Sequence, residues 1–209
     1  AEQLRRMLDA VREPFGVTDG AEITVEANPL DVTPQWTEGC LAGGFNRISI
    51  GVQSTDEDDL RFLGRLHHAQ DGPRAVQVAR EAGFREIGID LIYGLPGQTT
   101  DMLEERIVSA VKACRPEHVS CYQLTYAEGT PLWRDARSGR IVRLSEDEER
   151  DLFVCVHETL AGLGYPAYEV SNFSLDGQYR SRHNSNYWRH VPYIGLGPSA
   201  HSFLQPVRS

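Results

Sequence analysis

Four polar side chains stand at or near the ends of successive predicted β-strands, and together they could hold a small polar ligand. They are Glu26, Gln53, Asp90 and Thr125. If the strands pair in parallel, their carboxyl ends meet at one mouth, where such folds bind ligands. Two carboxylates, an amide and a hydroxyl suit a ligand that carries amines and hydroxyls. Arg65, on a nearby loop, could bind the carboxylate of that ligand bidentately.

Asp90 contributes most to this hypothesis because it lies within the apolar run that begins at Ile87. Such a run predicts a strand buried on both faces, and a buried carboxylate without donors or a ligand costs several kcal/mol. A structural Asp90 paired with an arginine is the alternative. For any one of the four residues, an ordinary cap or turn role is the better interpretation, whereas four at equivalent places favour a site. An ordinary barrel enzyme with Glu26 and Asp90 as its acid–base pair is a further hypothesis.

A second group of residues surrounds His183 and Tyr187 in the segment Arg-His-Asn-Ser-Asn-Tyr-Trp-Arg. On a helix, this spacing of four places both side chains on one face. Both can ligate haem iron. On the pattern alone, an aromatic packing segment with a hydrogen-bonded histidine is favoured. The later Gly195-Leu-Gly197 lacks a third glycine and is weak evidence for dinucleotide binding.

Alternating strand and helix patterns must position these side chains. Helical periodicity predicts helices over 2–15, 34–43, 55–63, 71–82, 100–114 and 145–163. Strands are predicted at 22–27, 46–52, around Asp90, at 118–124 and at 165–170. Residues 132–144 are predicted to form an exposed excursion. This alternation is typical of an α/β fold with a parallel sheet. Five strands are too few to close an eight-stranded barrel, so we expect an incomplete barrel or an open curved sheet.

Composition excludes several classes of protein. The formal net charge of the 209 residues is −9, which argues against a general nucleic-acid surface. No apolar run is long enough to span a bilayer, and no signal-peptide pattern is present. The four cysteines form no Cys-x-x-Cys pair, and free thiols of this kind predict core filling in a reducing cytoplasm.

Six segments of the chain, taken together, resemble the radical S-adenosylmethionine (SAM) family, in particular its oxygen-independent coproporphyrinogen III dehydrogenases and its HemW-type haem chaperones. The His-Asn-x-x-Tyr element is similar to the haem-binding motif of the chaperone branch and favours that branch. The segments are Val25–Pro29, Asn46–Ser54, Leu63–Arg65, Asp90–Pro96, His183–Trp188 and Tyr193–Gly197.

The resemblance implies an incomplete parallel (β/α)6 barrel, a partial TIM-type fold whose first βα unit is missing from this chain. Residues 1–171 would form the barrel core, and residues 172–209 would begin a C-terminal region. The resemblance places SAM against Glu26, Gln53, Arg65 and Asp90, with Thr125 nearby and His201 at the border of the pocket. It assigns His183 and Tyr187 to haem.

One departure from the family concerns the iron–sulfur cluster. The family binds a [4Fe–4S] cluster through Cys-x-x-x-Cys-x-x-Cys, followed by a Gly-Gly-Thr-Pro loop, and this chain contains neither. Its start corresponds to a point after both, so we expect the cluster cysteines upstream of Ala1 and no metal ligand in the chain itself. Without the cluster, these residues alone should be inert in radical chemistry, and no catalytic residue is assigned.

The resemblance implies a cytoplasmic haem chaperone that binds haem, SAM and a [4Fe–4S] cluster and delivers haem to acceptor haemoproteins. The alternative is a coproporphyrinogen III dehydrogenase, which would decarboxylate a porphyrinogen in porphyrin biosynthesis. Nucleic acid is not an expected partner, and a membrane would be reached only through an acceptor. Whether the protein is an enzyme, and whether it forms a homodimer, are left open.

Overall fold

The computed structural model describes residues 1–204, which form eight α-helices around one five-stranded sheet. The strands are β1 Thr24–Ala27, β2 Arg47–Gln53, β3 Glu86–Tyr93, β4 His118–Gln123 and β5 Asn172–Ser174. The helices are α1 Glu2–Phe15, α2 Pro34–Gly43, α3 Glu57–Phe62, α4 Asp71–Ala82, α5 Thr100–Cys114, α6 Pro131–Arg137, α7 Glu146–Gly162 and α8 Arg182–Trp188. Short 3-10 turns lie at Pro29–Asp31 and Leu175–Gly177.

The strands lie side by side in chain order, from β1 to β5. The first three pairings are parallel, and β5 joins β4 in the antiparallel direction. Helices connect the parallel strands, as strand–helix–strand crossovers require. The predicted α/β class and parallel sheet are therefore confirmed, and the described strands form one wall of a barrel rather than a closed barrel.

The hydrophobic core lies on the side of the sheet that faces the helices. Strand β2 alternates strictly, so Ile48, Ile50 and Val52 are completely buried on that side while the residues between them face the other way. Helices α4 and α5 pack against this layer, and α7 packs on α5. Cys40, Cys114 and Cys121 are free thiols buried in the core, as the sequence predicted, whereas Cys155 is only half-buried against it.

Side-chain caps fix the starts of several helices. The Thr99 hydroxyl accepts the Met102 N–H at 3.3 Å and begins α5. Ser145 and Glu148 form the predicted capping box of α7. Gly44 and Gly83 end α2 and α4 in the left-handed conformation, which glycine adopts without steric penalty. These local signals explain why the helix boundaries follow the sequence closely.

The prediction of a strand at 165–170 was wrong. The chain reverses after this segment, the Tyr168 N–H donates to the Asn172 carbonyl at 3.1 Å, and Asn172–Ser174 pairs with β4 instead. Only Ala167 forms a bridge, to Phe173. Pro166 offers no N–H to a ladder, and the Tyr165 hydroxyl donates to the Pro116 carbonyl at 2.6 Å. Strand β5 is the one antiparallel member of the described sheet, and β1 to β4 pair in parallel as predicted.

The exposed excursion predicted at 132–144 contains a helix that the sequence prediction missed. Helix α6 begins after Thr130, whose hydroxyl accepts the Trp133 N–H at 3.2 Å, and Pro131 occupies its first turn. None of its residues is buried, so the predicted exposure is confirmed. In the described part of the chain, no helix combines the length and the apolar character that crossing a membrane requires. The domain boundary expected at 171/172 stays a prediction; β5, which begins there, pairs with the barrel sheet.

Candidate ligand-binding site on the inner face of the sheet

The side of the sheet opposite helices α4 and α5 lines a cavity of about 980 Å³. We call this side the inner face; alternate residues of β1 to β4 project from it, since side chains point to opposite sides along a strand. Most of its side chains are polar, in contrast to the apolar helix side. The strand residues on the cavity are Thr24, Glu26, Arg47, Ser49, Gln53, Asp90, Ile92, His118, Ser120, Tyr122 and Gln123, and residues 181–184 and Asn186 also line it.

The structure brings together the four polar residues singled out by the sequence. Glu26, Gln53, Asp90 and Thr125 all line the cavity. Gln53 ends β2 and Thr125 follows β4, as expected. Asp90 does not lie at a strand end: it is in the middle of β3, beside Ser120 in the register with β4. The strand is therefore not buried on both faces, because the inner side carries Asp90 into the cavity.

Arg65 does not join this group in the structure. It is exposed on the loop after α3 and does not line the cavity. His201 is also exposed, and its backbone lies next to Gly195. The assignment of both residues to a SAM pocket stays a prediction.

Asp90 accepts hydrogen bonds from two serine hydroxyls on the neighbouring strands. Ser49 Oγ lies 3.0 Å from Asp90 Oδ1, and Ser120 also donates to the carboxylate. Burial raises the pKa of Asp90 from 3.8 to about 6, an effect that the two serines oppose and the charge of Glu26 reinforces. The site thus holds a desolvated carboxylate that a cationic or hydroxyl-bearing ligand would stabilise.

Gln53 has an unusual backbone conformation. Its φ is 68°, in the left-handed region, at an irregularity in the register between β2 and β3. Such a bulge re-aims a side chain. Gly51 leaves room for the redirected amide, because a Cβ at Gly51 would lie 2.6 Å from Gln53 Nε2. Backbone strain of this kind is concentrated at binding sites, which supports a functional role for the Gln53 amide.

The amino ends of the strands contain charged groups that our sequence analysis missed. Arg47 is 4% exposed and pairs with Glu86 at 2.8 Å and with Glu22 at 3.8 Å. The Tyr168 hydroxyl lies 2.8 Å from His118 Nε2 and accepts the Ser181 N–H at 3.2 Å. Burial, together with the charge of Arg47, lowers the pKa of His118 to about 3, so this imidazole is neutral.

A signal for these residues was present in the sequence. The segments Arg-Ile-Ser-Ile-Gly-Val-Gln and His-Val-Ser-Cys-Tyr-Gln alternate polar or small residues with apolar ones. This period of two predicts a strand with one polar side, which is the inner face of the structure.

His183 and Tyr187 lie together on α8. Their ring centroids are 4.6 Å apart, and Tyr187 also contacts Tyr193 at 4.6 Å. Helix α8 gives the spacing that the sequence implied. His183 lines the cavity, whereas Tyr187 meets the His183 ring edge to face and is 41% exposed. One histidine and one tyrosine therefore lie side by side at the edge of the polar cavity.

The model of the radical SAM superfamily matches residues 2–110. The chain belongs to the radical SAM superfamily. The superfamily relatives include the heme chaperone HemW of Lactococcus lactis, 37% identical over 208 residues, which cover 100% of this chain and 54% of the relative. The heme chaperone HemW of Escherichia coli is 40% identical over 200 residues, or 95% of this chain and 51% of the relative.

A solved radical SAM structure shares the fold. Coproporphyrinogen III oxidase (HemN) from Escherichia coli superposes with a TM-score of 0.78 at 23% identity, over 97% of this chain and 49% of that one. This likeness shows the fold alone. The chain spans about half the length of the curated relatives it matches.

The residues present fit one of the groups associated with the radical SAM superfamily and do not fit another. The donors on the inner face, two carboxylates with an amide and serine hydroxyls, match the amine and ribose hydroxyls of SAM. Residues 1–204 contain no group of three or more His, Cys, Asp or Glu side chains that could hold a metal. No cysteine lines the cavity. A [4Fe–4S] cluster therefore has no ligands among the described residues.

Proposed function

We propose that this chain is part of a radical-SAM-fold haem chaperone, which binds SAM in the inner-face cavity, binds haem at α8, and delivers haem to acceptor haemoproteins. The observation that carries the proposal is the shared cavity: the acidic and amide side chains at its carboxyl-end side and His183 of α8 line the same space. The similarity to proteins named heme chaperone HemW, along the whole chain, supports it.

In this proposal, the inner face binds SAM through three strands. Glu26 and Asp90 accept hydrogen bonds from the methionyl amine and the ribose hydroxyls, and the Gln53 amide can both donate and accept. Thr125 lies beside them on the cavity wall. Arg65 is assigned to the SAM carboxylate on the family resemblance; its side chain is exposed on the loop.

The proposal concerns binding rather than radical chemistry. In this superfamily, a [4Fe–4S] cluster supplies the electron that cleaves SAM. Since the described residues offer no ligands for a cluster, the proposal assigns its cysteines to a segment preceding Ala1. What these residues contribute is the orientation of SAM and a partly dry, acidic environment around its cationic groups.

Haem binding is assigned to His183, with Tyr187 beside it. Imidazole and phenolate are both known ligands of haem iron, and the two rings lie within 4.6 Å of each other. The exposure of the α8 surface leaves the iron ligand accessible to haem and to an acceptor protein. The proposed compartment is the cytoplasm, and the net charge of −9 disfavours nucleic acid as a partner.

Haem titration of the full-length protein tests the proposal. We expect a Soret band that shifts on binding and that His183→Ala changes or abolishes. His190→Ala, two residues beyond α8, is the matched control and should leave the band unchanged. Haem binding at α8 would be contradicted if the protein does not shift the Soret band. It would also be contradicted if the band of His183→Ala equals that of the wild type.

A second experiment distinguishes the haem chaperone function from the coproporphyrinogen III dehydrogenase function. Anaerobically reconstituted full-length protein is incubated with coproporphyrinogen III, SAM and a reductant. We expect no protoporphyrinogen IX. Its formation at a catalytic rate would favour the coproporphyrinogen III dehydrogenase and would overturn the chaperone assignment.

A further inference from the structure

Helix α8, which carries His183, is too short to be stable by itself. It has seven residues, and isolated helices of this length do not form in water, because nucleation is unfavourable. The first N–H groups of any helix also lack partners within the helix. What supplies those partners therefore determines where the helix, and the imidazole it carries, are held.

A single carboxylate, Glu22, supplies most of the missing acceptors. The Arg182 N–H lies 3.0 Å from each carboxylate oxygen of Glu22, and the His183 N–H lies 3.2 Å from Oε1. The Ser181 hydroxyl accepts the next N–H, that of Asn184, at 3.2 Å, and itself donates to Glu22 at 3.4 Å. Glu22 lies about 160 residues earlier in the chain and shares no local structure with α8.

Glu22 is itself held in place. Its side chain is 9% exposed and faces the buried guanidinium of Arg47 at 3.8 Å. The same nitrogen of Arg47, Nη1, donates to Glu86 at 2.8 Å, and Nη2 donates to the Tyr179 carbonyl at 3.3 Å. Charge-assisted hydrogen bonds are stronger and more directional than neutral ones. The carboxylate that caps α8 therefore faces a guanidinium that is itself hydrogen-bonded at the amino ends of β2 and β3.

We propose that Glu22 is a positioning residue, which holds the amino end of α8 against the sheet and thereby fixes the imidazole of His183 at the cavity for haem ligation. The inference rests on the proposed haem site, and it extends that site to a residue on the opposite end of the chain. Glu22 need not touch haem itself.

Two isosteric substitutions distinguish the cap from the ion pair. Glu22→Gln keeps the shape of the side chain but removes its negative charge and one of its two acceptor oxygens. The remaining oxygen can still accept the N–H groups of Arg182 and His183, but these hydrogen bonds are no longer charge-assisted. Glu86→Gln is the matched control, because Glu86 also pairs with Arg47 but forms no hydrogen bond with α8. Ser181→Ala removes the other cap and should act in the same direction as Glu22→Gln, less strongly.

The first measurement needs no haem. In the full-length apo protein, hydrogen exchange of the amides in 182–185 should accelerate about tenfold in Glu22→Gln, the expected result of losing charge-assisted hydrogen bonds. Exchange in Glu86→Gln should match the wild type. Unchanged exchange in Glu22→Gln would show that the carboxylate does not hold α8.

The second measurement uses haem as the probe. The Soret and electron paramagnetic resonance spectra of ferric haem bound to Glu22→Gln should move toward those of His183→Ala, and added imidazole should restore the wild-type spectrum. Circular dichroism equal to that of the wild type shows that the variant is folded. If the wild-type spectrum depends on His183 but Glu22→Gln matches the wild type, the positioning role is wrong and the haem site stands. If the spectrum of haem bound to His183→Ala equals that of the wild type, the proposed haem site is wrong, and the role of Glu22 in haem ligation is wrong with it.

Discussion

Replacing Asp90 with asparagine should stabilise the protein near neutral pH in the absence of ligand. The pKa of this carboxyl is raised from 3.8 to about 6, chiefly by burial. One pKa unit corresponds to about 1.4 kcal/mol, so keeping Asp90 ionised in the folded state costs about 3 kcal/mol. Asparagine has the same shape and does not ionise. It can still accept the Ser49 hydroxyl, and the Ser120 hydroxyl can rotate to accept from its amide.

The sign of the pH dependence follows from proton linkage. Between pH 4 and 6, the folded state binds more protons at Asp90 than the unfolded state does, so this group lowers the free energy of unfolding as pH rises. The full benefit of Asp90→Asn, up to about 3 kcal/mol, is therefore expected above pH 6 and should vanish near pH 4. The same variant should bind SAM more weakly, because the amide offers no negative charge.

The assay is urea unfolding followed by tryptophan fluorescence from pH 4 to 8, with the difference in free energy between variant and wild type plotted against pH. The difference is needed because His118 has the opposite pH dependence in the same range. Glu26→Gln is the control: it removes one of the smaller causes of the raised pKa of Asp90, so it should shift the midpoint to lower pH and stabilise less. A difference that is flat with pH, or a variant less stable than the wild type at pH 7.5, would refute the argument.

Three further predictions use the same unfolding assay. Burial and the charge of Arg47 lower the pKa of His118 to about 3, so protonation of the unfolded state should destabilise the wild type by about 3 kcal/mol as pH falls from 6.5 to 4. His118→Gln should remove most of this pH dependence, and an unchanged slope of stability against pH would count against a neutral, buried imidazole. Gln53 has a φ of 68°, so Gln53→Gly should raise the free energy of unfolding by about 1 kcal/mol and weaken SAM binding, which calorimetry measures. A loss of stability together with the loss of SAM affinity would mean that the amide supports the fold. Ser145→Ala removes the cap of α7. It should lower the free energy of unfolding by about 1 kcal/mol, seen as a lower urea midpoint, with no effect on SAM or haem binding.

Local patterns determined how much of the fold could be predicted from the sequence. The helices with clear caps, such as the one that begins after Ser145, and the parallel strands with β-branched residues lie close to where the sequence places them. The wrong prediction was the strand at 165–170. Its residues have strand character, but the pairing belongs to Asn172–Ser174, because the chain reverses at Tyr168. A choice between two short segments for one neighbouring strand depends on tertiary contacts that no local pattern encodes.

The sequence predicts those site residues that lie at the ends of strands. It does not predict those that are positioned by contacts with distant parts of the chain. Glu26, Gln53 and Thr125 lie as expected, whereas Asp90 reaches the cavity from mid-strand because the inner face is open to the cavity. Arg47 and His118 were missed although the alternation of their strands indicates a polar side. No local sequence pattern indicates the capping role of Glu22, since its partners lie on a helix about 160 residues away.

The proposed SAM and haem sites share one face of the sheet, and strand β2 runs from one toward the other. Arg47, which anchors Glu22 and with it the amino end of α8, begins the strand, and Gln53 ends it. At about 3.3 Å per residue, these two positions lie roughly 20 Å apart. The proposed SAM ligands span much of this distance, because Glu26 is level with Ser49, two residues from Arg47, and Asp90 accepts the Ser49 hydroxyl. The polar inner face is thus one wall that carries both proposed sites, which adjoin in a cavity of about 980 Å³.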